Sequence, residues 1–295
     1  MTASRGAKPR ATRGVPQTDR HTRLGPREDR ALLLNVWAGF LTTAQSAEAA
    51  GYPSLRRCQR RLRVLLDRGL TRVELQSGAL HLPSLHVPTR KAIERLIEDG
   101  RIPADYRVPR LPRAQKRAHA LLVRDVFAAF AAAETRGALR LDDFRFDSEL
   151  AREEPFRAAG LIPDGIATVS MGSGEAVTVA VEADTGTETT TTLRKKFAKW
   201  RAVLDVWHPP RLTLVVVCER EGRRSTLMRL VTEARIDETG LAILAGDVRA
   251  FVASLTAPHG SVAAPTRVER RTHVIGPAAL TTDSVAAGPP RVHIR

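Results

Sequence analysis

The hydrophobic positions of the chain switch between two periods, and the switches divide it. Over residues 28–69 apolar residues recur at spacings of three and four, in EDRALLLNVWAGF, TTAQSAEAAG and SLRRCQRRLRVLLDRG, which predicts three helices. The first covers roughly 28–39; Thr43 reads as the cap of a short second helix ending at Gly51, and Ser54 as the cap of a third that stops at Gly69. Two short β runs follow, 70–75 and 79–82, joined by QSG as a hairpin turn, and a further helix is expected over roughly 88–98. The proline-dense stretch DGRIPADYRVPRLPRAQ then marks a linker.

Helical spacing resumes in HALLVRDVFAAFAAA, where His119 lies on the face of Leu122, Val123, Val126 and Phe130. A histidine so placed is more often a satisfied core residue than a ligand. Downstream the pattern is mixed. GLIPDGIATVSM reads as a strand, GEAVTVAVEAD as its hairpin partner, TTTLRKKFAKWRAVLDVW as a helix and RLTLVVVCE as a buried strand. A helix, STLMRLVTEARI, a short strand, LAILAG, and a closing helix, DVRAFVASL, complete an order of helix, two or three strands, helix, strand, then a helix with a final strand. The ends show no period. The expected organisation is therefore a disordered basic arm over 1–26, a helical unit with a hairpin over 27–98, a linker over 99–112, an α/β domain over 113–256 and a disordered tail over 257–295.

Charge adds a partner to this outline. A formal net charge of +15 favours a polyanion, because neutralising phosphates releases condensed counterions. A coding bias toward Arg and Ala would give some of the same charge without any ligand. The third helix separates the two ideas. Leu55, Cys58, Leu62, Leu65 and Leu66 share its packing face, while Arg56, Arg57, Gln59, Arg60, Arg61 and Arg63 fall largely outside it. Three helices and a hairpin in this order resemble a winged helix-turn-helix domain, and the third helix stands where a recognition helix stands. Its guanidinium forks could pair with phosphates or guanine edges of double-stranded DNA. The other reading is a solvated basic helix in a structural module.

Other classes are poorly supported. Cys58 and Cys218 sit in apolar periodic segments with no CxxC or Cys/His cluster, and read as reduced core thiols. No apolar leader and no membrane-length segment occurs, so a cytoplasmic protein without a membrane partner is expected. GSG at 172–174 lacks the lysine and strand-to-helix context of a phosphate loop, and no Gly-x-Ser-x-Gly elbow occurs.

The acidic residues at the end of the VTVAVEAD run carry the remaining chemistry. Val177, Val179 and Val181 point to one side of that strand, and Thr178, Ala180, Glu182 and Asp184 to the other. Asp164, in Pro163-Asp164-Gly165, is brought alongside by the hairpin. Three carboxylates in one patch would be neutralised by a hard cation, Mg²⁺ or Mn²⁺. On the following helix Leu193, Phe197, Trp200, Leu204 and Trp207 form the buried stripe. Lys196 lies about 60° from its centre, close enough to snorkel toward the carboxylates. The plainer reading is local: Gly186 for a turn of positive φ, Thr187 as helix cap, and Glu188 at the positive end of the helix. Glu149, in FDSELAREEP, is a further candidate ligand that a solvated helix face explains more simply.

LIPDG at 161–165, VEADTGTE at 181–188, the lysine-bearing helix and the His119 that opens AHALLVRDV together resemble the replication-relaxation family of bacterial mobile elements. That resemblance implies an α+β chain, with an N-terminal winged helix-turn-helix followed by a restriction-endonuclease-like α/β domain with a mixed central sheet, similar to PD-(D/E)xK nucleases. It implies a DNA-binding role in plasmid or mobile-element replication or mobilisation, beside a relaxase or replication protein. Carried over by residue, Asp164 is the acid of the PD element and Glu182 the second acid, with Asp164, Glu182 and Asp184 as metal ligands. The nuclease pattern has lysine where this chain has Asp184. Either Lys196 replaces it, giving a catalytic set of Asp164, Glu182 and Lys196 for metal-dependent DNA cleavage, or the set is incomplete and the protein is a non-catalytic DNA-binding accessory or regulator.

Overall fold

The computed structural model describes residues 24–75, 83–172, 174–209, 211–236, 240–245 and 248–256. The expected arm, apart from residues 24–26, and the expected tail lie outside them, as does the strand expected at 79–82. The chain is a mixed α+β fold with two sheets. Its first part holds α1 (Pro26–Ala38), β1 (Leu41–Thr42), α2 (Thr43–Ala49), α3 (Leu55–Asp67), β2 (Thr71–Glu74), β3 (Leu85–Pro88) and α4 (Arg90–Glu98). The three strands are antiparallel in the order β1-β3-β2.

Local chemistry sets these boundaries. Helix α2 starts at the expected cap and is capped one residue earlier: Thr42, not Thr43, accepts from the Gln45 N–H at 3.1 Å, and the Gln45 side chain accepts from the Thr42 N–H at 2.9 Å. A glutamine three residues on decides between two adjacent threonines. Ser54 caps α3 as expected. Leu55, expected on the packing face of α3, is instead 53% exposed, and Leu66 is only half-buried. The anchors of that helix are Cys58, Leu62 and Leu65.

The second part contains α5 (Arg117–Thr135), β4 (Arg140–Phe146), α6 (Asp147–Leu150), α7 (Phe156–Ala159), β5 (Gly165–Ser170), β6 (Ala176–Asp184), α8 (Thr190–Leu204), β7 (Thr213–Cys218), α9 (Glu221–Glu233), β8 (Gly240–Ala245) and α10 (Val248–Thr256). Its five strands lie in sequence order. β4, β5 and β6 pair antiparallel, whereas β6, β7 and β8 pair parallel through the crossover helices α8 and α9. Strand β7 is apolar on both faces because both are covered: Val215 and Val217 on one, Leu214, Val216 and Cys218 on the other.

The sheet divides two cores. One face packs under α8 and α9 around Phe197, Trp200, Leu214, Leu227 and Leu230. The other face, through Val179, Val181, Val215 and Val217, joins α5, α10 and the helices of the first part in one continuous cluster that runs from Leu24 to Val252. Four polar side chains tie the two parts across this cluster. Trp37 Nε1 donates to the Phe144 carbonyl at 3.0 Å, and Gln45 Nε2 to the Leu121 carbonyl and Asp125 Oδ1 at 3.1 and 2.8 Å. Buried Arg124 donates to the Ala38 carbonyl, with its guanidinium 4.3 Å from the ring centre of Phe40 and 4.4 Å from that of Phe146. Arg30 reaches the Ala131 carbonyl at 3.1 Å and Glu134 at 2.7 Å.

Candidate functional site

Asp164 stands just before β5, and its N–H donates to the Val181 carbonyl, so the turn seats its side chain beside the end of β6. Gly165 packs closely: a Cβ there would lie 3.0 Å from the Phe144 ring, which would have to give way. Asp164 Oδ1 accepts from His119 Nε2 at 2.8 Å, and Oδ2 accepts from the Ala183 N–H at 2.8 Å. Glu182, 2% exposed, accepts the Trp200 indole N–H on Oε1 at 2.7 Å. Lys196 from α8 pairs with Glu182 Oε2 and lies 3.8 Å from Asp164 Oδ2. The structure therefore brings Asp164, Glu182 and Lys196 together and adds His119 and Trp200.

Asp184 does not join them. Although it shares the β6 face with Glu182, it is held by α9: Arg223 Nε donates to Oδ2 at 2.5 Å and Nη2 to Oδ1 at 3.4 Å, and Oδ1 also takes the Gly186 N–H at 2.8 Å. Arg223 Nη2 further donates to the Glu188 carbonyl at 2.6 Å. The local expectations for this run hold in part. Gly186 has φ +79°, but α8 is capped by Thr189, not Thr187, through the Thr192 N–H at 3.2 Å. Glu149, on α6, is half-buried with Asp143, Arg145 and Glu153 as its charged neighbours, and burial first, then Asp143, pushes its carboxyl up to about 7.

The charges of the cluster are unequal. Burial works to raise the Asp164 pKa, but the His119 hydrogen bond, Lys196 and the Ala183 N–H outweigh it and hold the carboxyl at about 2. Burial opposes the charge on Lys196, yet Glu182 and Asp164 hold its pKa above the ordinary lysine value. One lysine cannot neutralise two buried carboxylates, so burial and the charge of Asp164 push Glu182 upward against the pull of Lys196. When protonated, His119 adds a second positive charge. Burial and Lys196 lower its pKa, but Asp164, by hydrogen bond and charge, and Glu188 raise it further, for a net upward shift.

A group whose folded pKa is raised stabilises the fold fully below its unfolded pKa and loses that contribution as pH rises through the folded value. The stability of this protein is accordingly expected to fall as pH climbs from the ordinary histidine value through the raised one of His119. Melting temperatures of wild type and His119→Gln across that range test this; parallel curves would refute it.

A divalent cation here would need free carboxylate oxygens. Asp164 Oδ1 and Oδ2 take His119 and the Ala183 N–H, Glu182 Oε1 and Oε2 take Trp200 and Lys196, and both oxygens of Asp184 take Arg223. Among the described residues no group of three or more His, Cys, Asp or Glu is placed to hold a metal ion. In this arrangement the carboxylate oxygens face donors of the protein itself, and Lys196 lies between Asp164 and Glu182.

The basic face of α3 contrasts with this neutralised cluster. Arg56, Arg57, Gln59, Arg60, Arg61 and Arg63 are all exposed. Arg61 pairs with Glu28 at 3.0 Å and Arg63 with Asp67 at 2.8 Å, while among the described residues no carboxylate pairs with Arg56, Arg57 or Arg60. Three guanidinium groups thus stand in solvent on one helix, where counter-charge must come from outside.

His119, Trp200 and Arg223 complete the buried polar network. Trp200 lies within the expected apolar stripe, but a buried indole N–H requires an acceptor, and the nearby Glu182 is the signal. Nothing in the sequence pairs Arg223 with Asp184 beyond the need of a buried acid for a cation.

Among the described residues no helix is long and apolar enough to cross a membrane. The family model described as replication-relaxation matches residues 38–215, more than half of the chain. The match includes α3, His119, Asp164, Glu182 and Lys196 but stops short of Arg223. No curated protein and no solved structure matches.

Proposed function

Because the chain belongs to the replication-relaxation family, we propose that it is a DNA-binding accessory protein of plasmid or mobile-element replication and mobilisation, with α3 as the helix that meets the duplex. Arg56, Arg57 and Arg60, which pair with no carboxylate among the described residues, carry this reading. The order α1, α2, α3 followed by an antiparallel sheet is that of a winged helix, in which the third helix enters the major groove. The α/β domain then acts as a nuclease-like scaffold whose acidic cluster is spent on internal pairs. Lys196 and His119 neutralise Asp164 and Glu182, and Arg223 neutralises Asp184.

On this reading, plasmid and linear duplex shift in a gel equally with Mg²⁺ and with chelator, and supercoiled plasmid stays supercoiled. Calorimetric titration with Mg²⁺ or Mn²⁺ gives no binding heat. Failure to shift DNA in either condition would sink the proposal. A second reading, hydrolysis of DNA, draws on the convergence of Asp164, Glu182 and Lys196. Nicking that disappears in Glu182→Ala would establish it in place of the scaffold.

A further inference from the structure

The segment between the two parts has a period of its own. In Arg107-Val-Pro-Arg110-Leu-Pro-Arg113-Ala-Gln-Lys116 a basic residue stands at every third position, and no Asp or Glu occurs between Asp105 and Asp125. Residues 106–113 form neither helix nor strand. Arg113 has φ −58° and ψ 154°, and Pro109 and Pro112 fix their own φ, which are the values of a polyproline II chain with three residues per turn. Such a chain sets every third side chain on one edge. Burial follows the same period as far as Arg113: Arg107, Arg110 and Arg113 are exposed while the residues between them are wholly or partly buried, and Lys116 is exposed in the turn that follows.

The inward edge is fastened. Val108 packs on the main core, and Leu111 on Phe40, Leu85, Val87 and Ala120. Pro109 is buried against Gly39, where the positive φ of 76° and a carbonyl that would lie 2.2 Å from any Cβ both require glycine. The far end is tied as well: Arg117 reaches Glu74 of β2 at 3.4 Å, and His119, two residues on, bonds Asp164. Among the described residues no carboxylate pairs with Arg107, Arg110, Arg113 or Lys116. A linker needing only solubility would not have to align three arginines on one fastened edge and follow them with a lysine.

We propose that this strap is a second contact for the backbone of duplex DNA, carrying it from the α3 side of the first sheet toward the His119–Asp164 edge of the second. The inference rests on the DNA-binding reading above. The arginines of the extended stretch are about 9 Å apart, and Lys116 follows one 3-10 turn after Arg113, about 6 Å on; over 9 Å one strand presents two to three phosphates, so each side chain finds one without matching the base step. Contacts of this kind add affinity and salt dependence but no sequence preference.

The test compares wild type, R107Q/R110Q/R113Q/K116Q and R56Q/R57Q/R60Q as full chains, titrated against a fluorescent mixed-sequence duplex at several salt concentrations. Every phosphate that the protein no longer neutralises lowers the slope of log affinity against log salt by about 0.9, so the strap variant is expected to lose about three to four from its slope. Its melting temperature should be unchanged, and R107K/R110K/R113K should retain the wild-type slope. If the strap variant keeps that slope while the α3 variant loses affinity, the strap does not touch DNA and the inference fails alone. If wild type binds no duplex, the DNA-binding reading itself fails.

Discussion

Replacing Arg56, Arg57 and Arg60 together by glutamine is expected to weaken duplex binding by a factor of about 10² or more at moderate salt, since an arginine at a base edge or phosphate contributes about 1–3 kcal/mol. All three are exposed, and none has a described carboxylate partner. The substitutions remove pairing to DNA without breaking pairs within the fold. Arg63→Gln is the internal comparison, because its guanidinium already faces Asp67 at 2.8 Å and its effect should be smaller. Fluorescence anisotropy at fixed salt measures both. An affinity for the triple variant within a few-fold of wild type would remove α3 from the interface, whatever the rest of the surface does.

Arg124→Ala is expected to be the most damaging single change to stability, by about 3–5 kcal/mol. The side chain is 5% exposed and donates to the Ala38 carbonyl at the end of α1 and to the Ala120 carbonyl one turn earlier in α5. Phe40 and Phe146 enclose its guanidinium. Burial lowers its pKa to about 10, against the pull of Asp147, and it remains charged at neutral pH. Alanine would leave a cavity between two rings and strip a donor from a helix-terminal carbonyl. A fall in melting temperature of about 10 °C follows for a chain of this size. Arg124→Lys keeps the charge but not the planar fork, and should recover less than half of the stability. A melting temperature unchanged in Arg124→Ala would show that the two parts hold together without this residue.

The longer helices were legible from the sequence because their apolar stripes are regular, although α2 and α8 are capped at Thr42 and Thr189 and not at Thr43 and Thr187, and the four residues of α7 are too few to show a stripe. The first strand of the larger sheet was not. In β4 the buried Leu141, Phe144 and Phe146 are interrupted by Asp142, Asp143 and Arg145, and a register shift between Leu141 and Asp143 breaks the alternation. Strand β3 begins at Leu85, so β2 pairs with LHVP, a run too short to compete with its neighbours by pattern alone. In the acidic cluster, period placed Glu182 and Asp184 on one face correctly. It could not show that two different helices would claim them, since Lys196 and Arg223 arrive by separate crossovers. The resemblance picked out His119, but its apolar neighbours on α5 hid its bond to Asp164: a residue at the start of a helix can share the core face and still reach the turn before β5.

The cluster that runs unbroken from Leu24 to Val252 has a geometric consequence. With α1, α2 and α5 sharing one interior, and with Trp37, Gln45 and Arg124 bolted across it, no hinge is left among the described residues between the helix that faces solvent with its arginines and the site that holds Asp164. The separation of the two is a constant of the fold, like the span of a caliper with welded jaws. On the DNA-binding reading, any adjustment needed for one duplex to touch both falls to the DNA, because the protein has no joint with which to make it.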